Sequence, residues 1–133
     1  MANYYELGRT NYFNVKEPEV FKEELSNYSV ELISNSQGQV GFISGDLEDG
    51  IPWMKYNPDT EEEEEIDWVE IISRHIVPDE LAIMVWIGNE KLRYLSSGVI
   101  AIDSNGIFAE TGLNKFYEEL ADKFGKQFTL PEY

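Results

Sequence analysis

The chain has 133 residues, the size of one ordinary domain, and its 26 acidic and 10 basic side chains give a formal net charge of −16. It contains no cysteine and one histidine, which excludes disulfides, thiolate nucleophiles and zinc sites built from cysteines or several histidines. Because so negative a surface repels phosphate, direct binding to nucleic acid or to an anionic membrane is not expected.

The N-terminal segment has no apolar signal-peptide core, and no apolar run approaches the roughly 20 residues of a membrane span. We therefore expect a soluble, cytoplasmic protein with one α+β domain over residues 1–133 and a short tail at about 126–133. Phosphate-binding glycine loops are missing, and the acidic turns at Gly45–Gly50 and Asp103–Gly106 lack EF-hand spacing. We expect no metal and no organic cofactor.

The first half of the chain predicts a strand, a helix and further strands. Alternating β-forming residues mark the first strand, and Pro18 suits the first turn of a helix whose apolar side carries Phe21 and Leu25. Turn-forming residues then separate two apolar-rich strands, and a short third strand follows. These elements are expected at Asn11–Lys16, from Pro18 to about Ser26–Asn27, at Ser29–Ser34, at Gln39–Ser44 and around Trp53–Tyr56.

The second half predicts two helices on either side of a group of strands. Leu81–Ile87 is nearly all apolar, which is typical of a central strand buried on both faces. The order of elements favours an antiparallel or mixed sheet of about five to six strands, with two to three helices packed mainly on one face. The other elements are a helix from about Thr60 to Ile76, strands at Leu92–Asp103 and Ile107–Glu110, and a last helix capped by Thr111 and ended by Gly125.

The acidic segment Asp59–Glu70 is the most unusual feature of the sequence. Thr60 and Glu63 form a capping-box pattern, so the segment is expected to open the second helix. Eight acids and no base over roughly 18 Å of helix give about one charge per 2 Å, close to the roughly 1.7 Å per charge of duplex DNA. Trp68, Val69, Ile72 and Ile76 are expected to pack inward, with Glu63, Asp67 and Glu70 on the solvent side and Arg74 pairing with Glu70.

His75, the single histidine, is expected at the edge of this apolar stripe as a boundary residue with a satisfied hydrogen bond. A catalytic base needs a partner that the spacing does not reveal, and among 26 acids some carboxylate pair always falls at a suitable distance. We therefore expect no catalytic residue and no enzyme. The alternative is a small hydrolase or transferase built on carboxylates, with His75 as its base.

Two sequence elements resemble a group of small acidic proteins of phages, plasmids and other mobile elements. One is R-T-N-Y-F-x-V-K and the other is E-K-L-R-Y, with a central acidic segment between them, and the resemblance extends over most of the chain. The resemblance implies a mobile-element setting, in which such proteins often act as anti-restriction or anti-CRISPR inhibitors. The matching residues are Arg9, Thr10, Asn11, Tyr12, Phe13, Val15 and Lys16, then Glu90, Lys91, Leu92, Arg93 and Tyr94.

These observations lead to the hypothesis of a non-enzymatic protein that binds a basic, nucleic-acid-binding protein or a defence effector complex, in part by nucleic-acid mimicry. A housekeeping interaction module with a merely solvated acidic face is a further alternative, and the oligomeric state is left open. Arg9 and Arg93 are expected to tie strands to carboxylates or to stack on Tyr12 and Tyr94. The candidate partner-binding residues are Asp59, Glu61, Glu62, Glu63, Glu64, Asp67 and Glu70, with Trp53 and Tyr56 as uncharged contacts.

Overall fold

In a computed structural model, residues 5–45, 50–90, 94–125 and 129 are described. Within these residues, no helix is long and apolar enough to span a lipid bilayer. The elements are β1 Tyr5–Thr10, α1 Pro18–Leu25, β2 Val30–Ser34, β3 Val40–Ser44, β4 Met54–Asn57, β5 Glu62–Glu65, α2 Trp68–His75, β6 Ala82–Glu90, β7 Tyr94–Asp103, β8 Gly106–Gly112 and α3 Leu113–Phe124.

Six of these strands form one sheet in the order β2-β3-β1-β6-β7-β8, and β4 and β5 form a separate hairpin. Every neighbouring pair is antiparallel. The central pair is β1 with β6, in which Leu7 lies opposite Ile87 and Arg9 lies opposite Val85. The predicted α+β class, with an antiparallel sheet and helices packed against it, is confirmed.

The two faces of the large sheet differ in their covering. Side chains alternate along each strand, so Phe42, Met84, Ile100 and Ile102 share one face, and all four are buried. They belong to the hydrophobic core together with residues of α1 and α2, which cover this face. On the other face several large apolar side chains are exposed, namely Tyr5, Leu7, Ile83, Val85, Ile87 and Leu95.

Strand β6 therefore differs from its prediction. It was expected to be buried on both faces, but Met84 is 0% exposed whereas Ile87 is 53% exposed. The prediction was wrong because aliphatic side chains on an uncovered face have the same composition as side chains in a core, and periodicity cannot separate the two.

The first strand also lies earlier than predicted. Asn11–Lys16 contributes only isolated bridges, from Phe13 to Val40 and from Val15 to Ile76, whereas β1 is formed by the preceding residues. That preceding segment contains Gly8 and two charged residues and is a poor strand by propensity. Its pairing with β6 along all six residues outweighs that propensity.

The helix predicted from Thr60 to Ile76 is two elements instead of one. Glu62–Glu65 forms strand β5, and the helix begins only at Trp68, with Asp67 as its N-cap. The Asp67 side chain accepts a hydrogen bond from the Glu70 backbone N–H at 3.1 Å. Pairing of β5 with β4 satisfies backbone groups that a single helix would have used, so Thr60 has no capping role.

The last helix ends as predicted but begins differently. Gly125 adopts the left-handed conformation at φ 59°, and its backbone N–H donates to the Ala121 carbonyl oxygen. Its N-cap is Gly112, because Thr111 still lies in β8. Apolar residues recur along this helix at the i, i+3, i+4, i+7 spacing of a buried stripe, but Phe116 is exposed and Leu113, Tyr117 and Leu120 are only half-buried.

Some predicted features lie outside the described residues. These are Asp46–Asp49 of the first acidic turn, Lys91–Arg93 of the second resemblance element, and the tail at 126–133 except Thr129.

Candidate functional site

The candidate site is a two-stranded hairpin, here called the acidic hairpin, formed by β4, the turn 58–61 and β5. The register places Tyr56 opposite Glu63 and Met54 opposite Glu65. The turn ends at Glu61, whose φ of 57° lies in the left-handed region that residues with a side chain seldom adopt. The hairpin thus places acidic side chains along the whole of its second strand.

The hairpin has an inner and an outer face. On the inner face, the Lys55 Nζ lies 5.2 Å from the centroid of the Tyr28 ring, and Trp53 packs edge-on against Trp86 at 5.4 Å between centroids. Because side chains alternate along a strand, the neighbours of Lys55 point the other way. The outer face therefore carries Met54, Tyr56, Glu63 and Glu65, and Tyr56 is 57% exposed.

The carboxylates of the hairpin are not neutralised by neighbouring bases. Among the described residues, no ion pair involves Glu61–Glu65, although Glu64 accepts a hydrogen bond from the Asn57 side-chain amide at 2.9 Å. All four glutamates of β5 are exposed. Lys55 lies opposite Glu64 across the hairpin and offsets part of their mutual repulsion, and solvent and dissolved ions screen the rest.

The remaining acidic candidates have structural roles of their own. Glu70 forms the predicted i, i+4 ion pair with Arg74, and Asp67 caps α2 at the base of the hairpin. The structure therefore brings together Asp59, Glu61, Glu62, Glu63, Glu64, Trp53 and Tyr56 on the hairpin, and it places Glu70 on the helix beyond it.

A small pocket lies between the base of the acidic hairpin and α2. Its volume is about 110 Å³, and its apolar lining includes Trp53, Val69 and Met84. Glu65 and Asp67 also line it. This pocket could not be predicted from the sequence. It exists only where the hairpin folds back on the sheet, and no local sequence pattern predicts that contact.

His75 lies at a polar junction between α1 and α2. Its Nε2 is 2.5 Å from Glu24 Oε1, and Arg74 donates to the other oxygen of Glu24 at 2.7 Å. Burial alone would raise the Glu24 pKa, but the hydrogen bonds from Arg74 and His75 outweigh it, so the pKa is lowered. The predicted satisfied hydrogen bond is confirmed, but at 7% exposure His75 is buried instead of lying at the boundary.

The uncovered face of the large sheet carries a second concave surface. A cleft of about 320 Å³ is lined by Leu7, Arg9, Val85 and Ile87, with Ile43 at its side. The Arg9 Nε donates to the Thr10 carbonyl oxygen at 3.0 Å, and its guanidinium carbon lies 5.8 Å from the centroid of the Tyr12 ring. The predicted stacking of Arg9 on Tyr12 is therefore confirmed.

Within the described part of the chain, no group of three or more histidine, aspartate or glutamate side chains is arranged to hold a metal ion. Comparison of the chain with protein-family models, curated proteins and solved structures finds no match.

Proposed function

We propose that this protein is a non-enzymatic binding protein that uses the acidic hairpin to engage a basic protein surface. The observation that supports this most is the row of exposed carboxylates on β5, which form no ion pair with any described residue. Glutamate is a poor strand former, and like charges on one strand repel. A sequence selected only for a stable fold has no reason to place four glutamates there.

The hairpin also supplies the contacts that a charge patch lacks. Long-range attraction speeds the encounter with a basic partner, whereas buried aromatic contacts determine which partner stays bound. Tyr56 and Met54 lie among the outer-face carboxylates, and the packing of Trp53 on Trp86 supports the hairpin from within. The acidic hairpin therefore combines charges that attract a basic partner with apolar side chains that the partner can bury.

The spacing of the charges bears on nucleic-acid mimicry. A strand advances about 3.3 Å per residue, so β5 carries one charge per about 3.3 Å, which is less dense than the helix expected from the sequence. That interval is close to the roughly 3.4 Å per phosphate along one strand of duplex DNA. Because alternate carboxylates point to opposite faces, each face carries one charge per about 6.6 Å, so mimicry would be limited to one short strand segment.

The class of partner is proposed from charge and from the resemblance to mobile-element proteins. A protein that binds nucleic acid has a basic surface that an acidic strand can occupy. We propose a nucleic-acid-acting defence complex, such as a restriction nuclease or a CRISPR effector, as the target that this chain inhibits.

The experiment is a capture of partners from a host lysate at low salt, using the wild-type protein and a variant with Glu62, Glu63, Glu64 and Glu65 all changed to Gln. We expect the variant to lose the partner, and the wild-type complex to weaken steeply as salt is raised, because exposed charges are screened over about 8 Å at physiological ionic strength.

A matched control changes net charge equally at another site, with Glu23, Glu31, Glu118 and Glu119 changed to Gln; all four are exposed. This control should retain the partner. If both variants capture it equally well, neither the β5 carboxylates nor the total charge determines binding. If both lose it equally, only the total charge matters and the hairpin is not the specific binding surface.

A further inference from the structure

The pocket at the base of the acidic hairpin has the size of a single side chain. Its volume of about 110 Å³ is well below the roughly 300–1,000 Å³ of pockets that hold drug-sized molecules. Its walls are fixed, since the Trp68 Nε1 donates to the Pro52 carbonyl oxygen at 2.7 Å and Met84 is fully buried. An occupant must therefore fit a space that is already formed.

The chemistry of the lining combines apolar walls, an aromatic ring and the carboxylate of Asp67. Trp53 remains 39% exposed although it packs on Trp86, so part of its indole is free to contact another group. Asp67 uses one carboxylate oxygen to cap α2, and the other accepts no hydrogen bond from a described residue. Glu65 also borders the pocket, but its side chain belongs to the outer face of the hairpin, so Asp67 supplies the carboxylate of the pocket.

We propose that this pocket receives an arginine side chain of the basic partner. The aliphatic stem of an arginine can lie against apolar walls while its charged end stays near water. The planar guanidinium can stack on Trp53 and donate to a carboxylate at the same time, which the ammonium of lysine does less well. The charge complementarity is strong, because Asp59–Glu70 contains no base.

This inference rests on the proposed function and makes it more specific. The carboxylates of β5 would attract the partner, and the pocket would hold one of its side chains as an anchor at the centre of the contact. The two parts can be tested separately, because a larger side chain in the pocket wall fills the pocket without removing any carboxylate of β5.

The probe is N-acetyl-arginine amide, titrated at constant ionic strength and followed by the indole N–H signal of Trp53 and the methyl signal of Met84 in NMR spectra. N-acetyl-lysine amide and the uncharged N-acetyl-norleucine amide are the comparison probes. We expect saturable shifts with arginine, an affinity at least about threefold lower for lysine, and no saturable binding of norleucine.

A blocking variant tests the site itself. Val69→Phe places a larger side chain in the lining of the pocket, whereas Val20→Phe makes the same change at an exposed position of α1. We expect Val69→Phe to lower the affinity for the arginine probe at least about tenfold, as expected of a filled anchor pocket, and Val20→Phe to leave it unchanged. Retained folding of both variants is checked by the other signals of the same spectra.

The inference is overturned if arginine and norleucine shift the signals alike, or if Val69→Phe binds the arginine probe as the wild type does. Neither outcome affects the proposed function, which is tested separately by comparing the β5 variant with its charge-matched control in the capture experiment.

Discussion

The Asp67 side chain accepts the backbone N–H of Glu70 at 3.1 Å, and this bond sets the start of α2 at the base of the acidic hairpin. The carboxylate of Asp67 satisfies one of the four backbone donors that the first turn of a helix leaves free. The helix therefore begins after this cap, and the glutamates before it pair with β4 in a strand.

Removal of this cap should destabilise the protein. We expect Asp67→Ala to lower the free energy of unfolding by about 1 kcal/mol, whereas Asp67→Asn, which can still cap, should change it by much less. Thr60→Ala tests the position predicted from sequence and should have almost no effect. Urea denaturation of the three variants measures these differences, and a larger loss for Thr60→Ala would show that the helix begins at Thr60 in solution.

The misplaced helix start shows what sequence patterns could and could not predict here. The sequence contains two capping patterns, Thr60–Glu63 and Asp67–Glu70, and only the second is used. Glutamate favours helices over strands, so propensity points to the earlier cap. Pairing with Met54–Asn57 outweighs that propensity, and the turn signal of Asn57–Pro58–Asp59 was the clue that a hairpin begins there.

Elements with strong local signals were predicted well, and features set by tertiary contact were not. Helix α1, with Pro18 in its first turn, and the strands on either side of the turn at Asn35–Gly38 agree closely with prediction. The uncovered face of β6 and the pocket beneath Trp53 depend on which surfaces other elements cover. No pattern along one segment carries that information.

The two faces of β6 should respond differently to the same substitution. Ile87 is exposed, so Ile87→Lys should change stability by no more than about 0.5 kcal/mol. Met84 is fully buried, and Met84→Lys would bury a charge without a partner, which should prevent stable folding. Circular dichroism and thermal denaturation distinguish these outcomes, and a severe loss for Ile87→Lys would show that this face is covered in solution.

The close approach of Trp86 to Gly98 predicts that substitutions at these two positions have non-additive effects on stability. The two residues lie opposite each other in β6 and β7, and a Cβ atom at position 98 would collide with the indole ring. We expect Gly98→Ala to cost about 1–3 kcal/mol, as overpacked sites do. In a Trp86→Leu background the same change should cost clearly less, so a double-mutant cycle measures the contact. Equal costs in both backgrounds would contradict it.

The junction of Glu24 with Arg74 and His75 predicts a pH-dependent contribution to stability. The Glu24 pKa in the folded protein is lowered from its usual value of 4.5, so the ionised form is favoured by folding. This contribution is fully present above about pH 4.5 and is lost as pH falls through the lowered folded pKa.

Glu24→Gln should therefore be less stable than the wild type at pH 7, by about 1 kcal/mol, and the difference should shrink as pH falls below 4.5. Comparing the variant with the wild type at each pH removes the effect of the other carboxylates. Glu23→Gln, an exposed neighbour on the same helix, is the control and should show no such difference. A difference for Glu24→Gln that stays constant down to pH 3 would exclude the ionised carboxylate as its source.

The acidic hairpin should be more stable without the charges that we assign to binding. Changing Glu62, Glu63, Glu64 and Glu65 to Gln keeps the side-chain size but removes repulsion along a strand that has no ion pair among the described residues. We expect the melting temperature to rise by a few degrees at low salt and the gain to vanish at high salt, where the wild-type charges are screened. Thermal denaturation at two salt concentrations measures both effects, with the charge-matched variant of Glu23, Glu31, Glu118 and Glu119 as the control.

A larger gain in the β5 variant than in that control would show that these four carboxylates cost stability because they are close together, as expected for a surface kept for binding. An equal gain in both would mean that the total charge, and not its placement on β5, determines the stability.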